Sequence, residues 1–234
     1  MATLHLIRHG QASFGRSNYD KLSDHGWQQG RVTGRYLKQV MTPGALFRGD
    51  LERHRETAEA IAEGFEADLP EARVDAAFNE FDHLEVLQRH RPEWADPQQM
   101  AADLGRAPSP RKAFQEAFSE SVERWVSGQF DHEYTETWAH FCGRVWQGLE
   151  TALESAAGVR DTLVVTSGGP ISVIVQRLLG LDDKQALELN AVMANAGITR
   201  VLYSGSGTNT RRTLAGFNSI AHLEVESAKM VTYR

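Results

Sequence analysis

The sequence predicts an α/β fold: a three-layer α/β/α sandwich with a largely parallel central sheet, an edge hairpin and a helical insertion. Three observations predict it. The chain opens with a short apolar run, "TLHLI", closed by "RHG". A second apolar run, Leu163–Val165, ends in the turn "SGGP" and passes into another apolar pattern, as strand, turn and helix do. The stretch "ITRVLYSGSGTNTRRTLAGF" holds two strand-like runs around a Gly/Ser/Asn turn, the pattern of a hairpin.

The elements follow in order. Thr3–Ile7 reads as a short buried strand ending at Gly10, and a polar loop, Gln11–Asp20, follows. Ser23 is the expected cap of a helix running to about Val40. "GALFRG" is a second strand candidate, and Asp50 the expected cap of the helix "LERHRETAEAIAEGF". There Leu51, Ala58, Ile61, Ala62 and Phe65 keep helical spacing, so they mark the core face. From Asn79 to about Tyr134 the texture turns polar and rich in Trp, Pro, His and charge, with a helical patch at Arg111–Trp125. This stretch reads as an insertion of about 79–134 lying over the site, within a single domain of 1–234. A long helix is expected over Thr137–Ala156, before the strand and turn at Leu163–Pro170.

Bulk composition narrows the function. A chain of 234 residues buries roughly 70% of its unfolded surface and needs no disulfide or metal staple. Its one cysteine, Cys142, forbids an internal disulfide and suits a reducing cytosol, so a cytoplasmic location is expected. The N-terminus does not read as a signal peptide, and no apolar run nears the ~18 residues of a membrane span. A net charge of −6 argues against nucleic acid or an anionic membrane as partner. An anion site must therefore be a local basic pocket.

Ligands of parallel sheets gather beyond the carboxyl ends of the strands. His9 and Ser167 both end strands, so parallel strands would point them into one crevice. Beside His9, Arg8 offers a fork for phosphate oxygens, and Gly10 lets the backbone turn sharply toward a ligand. A neutral imidazole there can attack phosphorus, and nearby arginines favour the neutral form. Arg53 stands in the first turn of its helix, where a cation opposes the helix dipole; an anion in the crevice accounts for it. Arg55, by contrast, pairs with Glu59 on a solvated face. "FNEFDHLE" brings Glu80, Asp82, His83 and Glu85 to the mouth of the insertion. A carboxyl partly shielded from water can protonate a leaving oxygen. Glu85 is assigned to a solvated acidic loop.

These segments resemble, in order and over nearly the whole chain, the motifs of the histidine phosphatase superfamily, the phosphoglycerate-mutase-like fold. "LIRHGQAS" resembles the opening motif, and "DKLSDHGWQQG" the segment D-x-L-(S/T)-x-x-G-x-x-Q. "LERHRETAEAI" resembles L-x-R-x-x-Q-T-A, with Glu56 in place of Gln. "FNEFDHL" resembles the acid motif L-x-E, "VVTSGG" resembles V-V-(S/T)-H-G-G, and "FNSIAHL" a common C-terminal segment. The resemblance implies His9 as phosphorylated nucleophile, Arg8 and Arg53 as phosphoryl grips, and Glu80 as proton donor. It implies no metal and no organic cofactor, and a small phosphorylated substrate or phosphorylated side chain; a homo-oligomer is also open.

Two departures stand out. The family's second catalytic histidine falls on Ser167, a neutral donor, at a cost of ~1–2 kcal/mol in transition-state binding. The asparagine that some members carry six residues after the nucleophile falls on Gly15, with Ser13 as a substitute donor. Ser13, Ser167 and Gly168 are the expected substrate contacts, and His222 or His83 a replacement imidazole. Three other readings stay open: a mutase, with cations from "QRHRPEW" although "EFDHL" replaces E-R-H-Y-G; a non-catalytic phospholigand-binding protein; and a serine hydrolase using Ser167, although "VTSGG" lacks the first glycine of G-x-S-x-G.

Overall fold

The structure, a computed structural model, describes residues 1–13, 20–205 and 210–233. It divides into two compact units. The first comprises Met1–Glu80 and Val145–Arg234 and the second Phe81–Arg144.

The first unit is built on a six-stranded sheet. Its strands are β1 (Ala2–Arg8), β2 (Pro43–Arg48), β3 (Ala72–Val74), β4 (Asp161–Thr166), β5 (Ile198–Ser204) and β6 (Arg211–Ser219), in the order β3-β2-β4-β1-β5-β6. β3, β2, β4 and β1 run parallel, and β5 and β6 form an antiparallel pair at one edge. The expected edge hairpin is therefore present as strands, while its turn, 206–209, lies outside the described residues. Helix α1 spans Asp24–Val40 and α2 spans Glu52–Phe65. Both pack on one face of the sheet, where Leu37, Ala58, Ile61 and Phe65 meet Ile7, Leu46, Leu163 and Val165. Each fully buried Leu, Ile, Val or Phe among them contributes about 1.5–3 kcal/mol. Leu4, Leu6 and Val164 have the opposite parity and are equally buried, so the other face is covered too. That double burial is why these strands read as continuous apolar runs.

Ser23 caps α1 as expected, accepting the N–H of Gly26. Asp50 does not cap α2. The helix starts after Leu51, which makes no side-chain cap, and the N–H of Glu52 donates to the Asp20 carboxylate at 2.8 Å. Asp50 instead holds Asn79: its N–H donates to Asn79 Oδ1 at 2.9 Å and its carboxylate accepts from Asn79 Nδ2. This pair ties the segment before Glu80 to the end of β2. The sequence reading passed over β3, too short for a period to show. It also passed over two helices, α8 (Asp183–Ala191) and α9 (Ala221–Glu226).

The second unit is helical, with α3 (His83–His90), α4 (Pro97–Arg106) and α5 (Pro110–Val126) around Leu87, Trp94 and Ala117. α6 (Trp138–Ser155) begins in this unit and ends in the first. Glu85 is not a loop residue: it lies in α3, pairs with Arg89 and accepts the N–H and hydroxyl of Thr135. Asp82 caps α3. No helix among the described residues is long and apolar enough to cross a membrane.

Candidate active site

The four parallel strands deliver polar side chains from their carboxyl ends, the side where such sheets bind ligands. β1 ends in Arg8 and His9. β2 leads through Gly49–Leu51 to Arg53 and His54 at the start of α2. β3 leads through one 3-10 turn, Ala76–Phe78, to Glu80. β4 ends at Thr166, followed by Ser167 and then Gly168, the first residue of α7 (Gly168–Leu179). β1 and β4 are adjacent with Arg8 opposite Thr166, and the His9 N–H donates to the Thr166 carbonyl at 2.8 Å. His9 and Ser167 therefore stand side by side, as parallel strands require.

His9 is buried, with Nδ1 2.7 Å from the Gly10 carbonyl oxygen. A carbonyl only accepts, so Nδ1 carries the hydrogen and Nε2 carries the lone pair. Burial holds the ring well below the usual histidine pKa, reinforced by the charges of Arg53 and Arg8 and by His54. The neutral ring expected from the sequence is thus what the surroundings favour. Gly10 has a reason of its own in the packing of the loop. A Cβ there would lie 2.5 Å from the Gly26 carbonyl oxygen, so the glycine lets the loop lie against α1. Its N–H donates to Thr57 Oγ1 of α2 at 3.1 Å.

Both arginines are buried. Arg8 donates to the Met193 carbonyl, and a Cβ at Gly168 would lie 3.7 Å from Arg8 Nε. That same Cβ would overlap Asn190 Oδ1, which is why α7 starts on glycine. Arg53 donates to Asp20 at 2.6 Å, so its charge at the helix start is met by the carboxylate that also caps α2. Glu56, the departure from Gln, is buried and accepts the Leu22 N–H at 2.7 Å, which anchors the Asp20–Leu22 segment to α2. Arg55 pairs with Glu59 at 2.7 Å on the exposed side, as expected.

Glu80 is half-buried and accepts the Gly169 N–H, in the first turn of α7, at 3.1 Å. Its carboxylate is thereby held at the end of β4. Ser13 is buried, and its N–H donates to the Lys21 carbonyl at 2.7 Å. Gly15 lies outside the described residues.

The residue that the sequence reading missed is His54. It is fully buried, its Nε2 lies 2.7 Å from Ser167 Oγ, and its ring centroid is 5.9 Å from that of His9. Burial and the charges of Arg53 and Arg48 push its pKa well below the usual value. Of the two imidazoles the sequence offered, His222 is engaged elsewhere. It lies 3.1 Å from Thr33 Oγ1, stacks on Tyr36, and burial lowers its pKa to about 4. His83 opens α3 in the second unit. A signal for His54 existed: with Ala58, Ile61 and Phe65 it keeps the spacing 4, 3, 4, which puts an imidazole on the core face of α2.

Solved structures share this architecture. One is a phosphoserine phosphatase from Entamoeba histolytica in complex with 3-phosphoglyceric acid, 18% identical, TM-score 0.63, covering 95% of this chain and 100% of that one. A phosphoglycerate mutase from Bacillus anthracis is 18% identical with a TM-score of 0.63, over 94% of each chain. A mycobacterial glucosyl-3-phosphoglycerate phosphatase in complex with VO3 is 21% identical, TM-score 0.62, over 94% of this chain and 100% of that one. At these identities the likeness speaks for the fold. No curated protein matches the chain. The family model described as histidine phosphatase superfamily (branch 1) matches residues 4–214, so the chain belongs to that superfamily.

Proposed function

We propose that the protein is a phosphatase that hydrolyses a phosphomonoester, or a phosphorylated side chain, through a phosphohistidine on His9. One observation carries this reading above the others. His9 is locked through Nδ1 to a backbone carbonyl, so a neutral Nε2 is left free in the field of Arg53 and Arg8. In the first step Nε2 attacks phosphorus, the P–O bond to the leaving group breaks, and protonated Glu80 gives its proton to the leaving oxygen. In the second, water attacks phosphorus and gives a proton to Glu80; the P–N bond breaks and inorganic phosphate leaves. Arg8 and Arg53 hold the charge that builds on the equatorial oxygens. The Gly10 carbonyl stabilises the imidazolium of the intermediate. No step calls on a metal or an organic cofactor.

A mutase would have to retain a bisphosphate on further cations. The cations of "QRHRPEW" are engaged within their own unit, Arg89 with Glu85 and Arg91 with Glu120, which favours hydrolysis. A serine hydrolase draws support from the Ser167–His54 hydrogen bond. Against it, His54 Nδ1 has no hydrogen-bond partner among the described residues, so no carboxylate completes a triad. Ser167 also has an ordinary extended backbone, φ −115° and ψ 174°, rather than a strained elbow. Turnover of a panel of phosphomonoesters by wild type and His9→Ala tests the proposal: activity should be lost in the variant. A phosphonate probe should leave Ser167 unlabelled.

A further inference from the structure

The hydrogen bond between His54 and Ser167 has no part in the mechanism above, and its surroundings give it one. Both side chains are fully buried. Ser167 stands beside His9 at the strand ends, and the His54 ring packs against both. His54 Nε2 points at Ser167 Oγ, while Nδ1 is buried with no hydrogen-bond partner among the described residues. Gly49 makes room for that nitrogen, since a Cβ there would overlap it.

The tautomer follows from the surroundings. Arg48 donates to the Gly49 carbonyl at 3.0 Å, and the charges of Arg53 and Arg48 both act on His54. A positive field, and no hydrogen-bonded acceptor among the described residues, favour a lone pair at Nδ1 over a stranded N–H. Nε2 therefore carries the hydrogen and donates it to Ser167 Oγ. The serine's own hydrogen is left to point elsewhere.

We propose that His54 is a positioning residue for phosphoryl transfer: its Nε2–H donates to Ser167 Oγ and so directs the Ser167 hydroxyl hydrogen to an oxygen of the phosphoryl group on His9. This rests on the phosphohistidine reading. Together the histidine of α2 and the serine after β4 supply the hydrogen bond that the family motif draws from one histidine at position 167. The arrangement delivers a polarised neutral donor and no full charge, because His54 is held neutral.

The test is steady-state kinetics with p-nitrophenyl phosphate, and inhibition by vanadate, on wild type, His54→Gln, His54→Phe, Ser167→Ala and the double variant H54F/S167A. The amide nitrogen of glutamine stands in for Nε2–H. His54→Phe and Ser167→Ala should each lower kcat about tenfold, the scale of one neutral hydrogen bond. KM should change less and vanadate inhibition should weaken in parallel. The double variant should be no worse than either single one, because the pair acts as a unit. His54→Gln should recover most of the loss, and phosphate should still be trapped on His9 in every variant. Equal losses in His54→Phe and His54→Gln, or losses that multiply in the double variant, would overturn the proposal while phosphate on His9 leaves the phosphatase reading standing. No phosphate on His9 in wild type would overturn both. Should His54→Phe not fold, His54→Leu and the double variant H54L/S167A take its place in the same comparison.

Discussion

The Nδ1 of His9 lies 2.7 Å from the carbonyl oxygen of Gly10, and this contact leaves Nε2 as the nitrogen that carries the lone pair. Because the ring's pKa lies well below 6.5, its attacking form persists as pH falls through that value. The rate of phosphoenzyme formation should therefore not drop around pH 6.5 through protonation of His9; its acid limb should lie lower. Rapid-quench measurements between pH 7.5 and 5 check this. A limb at 6.5 would contradict the neutral ring, since burial also holds the pKa values of His54 and His222 below that value.

Arg53→Ala and Arg8→Ala should each lower the rate roughly 100- to 1,000-fold, the scale of one preorganised charge contact. Vanadate should bind more weakly in both. Arg55→Ala should be nearly silent, since Arg55 is spent on Glu59 at the surface. A larger effect at position 55 than at 53 would contradict the site.

Glu80→Gln should distinguish leaving groups. An alkyl phosphate needs the proton and should suffer about 100-fold or more, whereas a nitrophenyl phosphate should suffer less. Asp82→Asn should show no such pattern, because Asp82 Oδ1 accepts the N–H groups of Leu84 and Glu85 to cap α3.

Ser167→His alone should reduce activity. The sequence motif suggests that a histidine there would restore the family's donor, provided the turn has room. The His54 ring takes that room, 2.7 Å from Ser167 Oγ. Combining Ser167→His with His54→Ala opens the space and should recover activity relative to Ser167→His. Kinetics of the two variants side by side decide it.

His222 makes stability depend on pH. Its folded pKa of about 4 lies below the unfolded 6.5, so below pH 6.5 the unfolded chain binds a proton that the folded chain refuses. Stability should fall as pH drops from 6.5 toward 4, by about 2 kcal/mol at pH 5 from this residue. Urea unfolding at pH 7 and pH 5 should show a smaller difference in His222→Gln.

What the sequence displayed, and what it hid, follows from range. β1 and β4 were legible because both faces of each are buried, and α1 because Ser23 caps it locally. The place of His9 and Ser167 at neighbouring strand ends was legible from the two apolar runs, whereas the partner of Arg53 was not, because Asp20 lies 33 residues before it. The cap of α2 was not, because its carboxylate comes from Asp20, 32 residues before Glu52. His54 was obscured by the polar run "RHRET", which reads as a solvated helix start. In fact Arg53, His54, Glu56 and Thr57 are all buried, and each has a hydrogen-bond partner in a segment distant in sequence: Asp20, Ser167, Leu22 and Gly10. α8 carried a signal that went unread, the capping box of Asp182 and Gln185.

Trapping the proposed phosphoryl group on His9 is the most direct test. Wild type and His9→Ala should be mixed with excess substrate, quenched in alkali to preserve the acid-labile P–N bond, and mapped by mass spectrometry. One phosphoryl group on His9 in wild type, and none in the variant, is the result expected. Phosphate or a phosphonate adduct on Ser167, with turnover intact in His9→Ala, would contradict it.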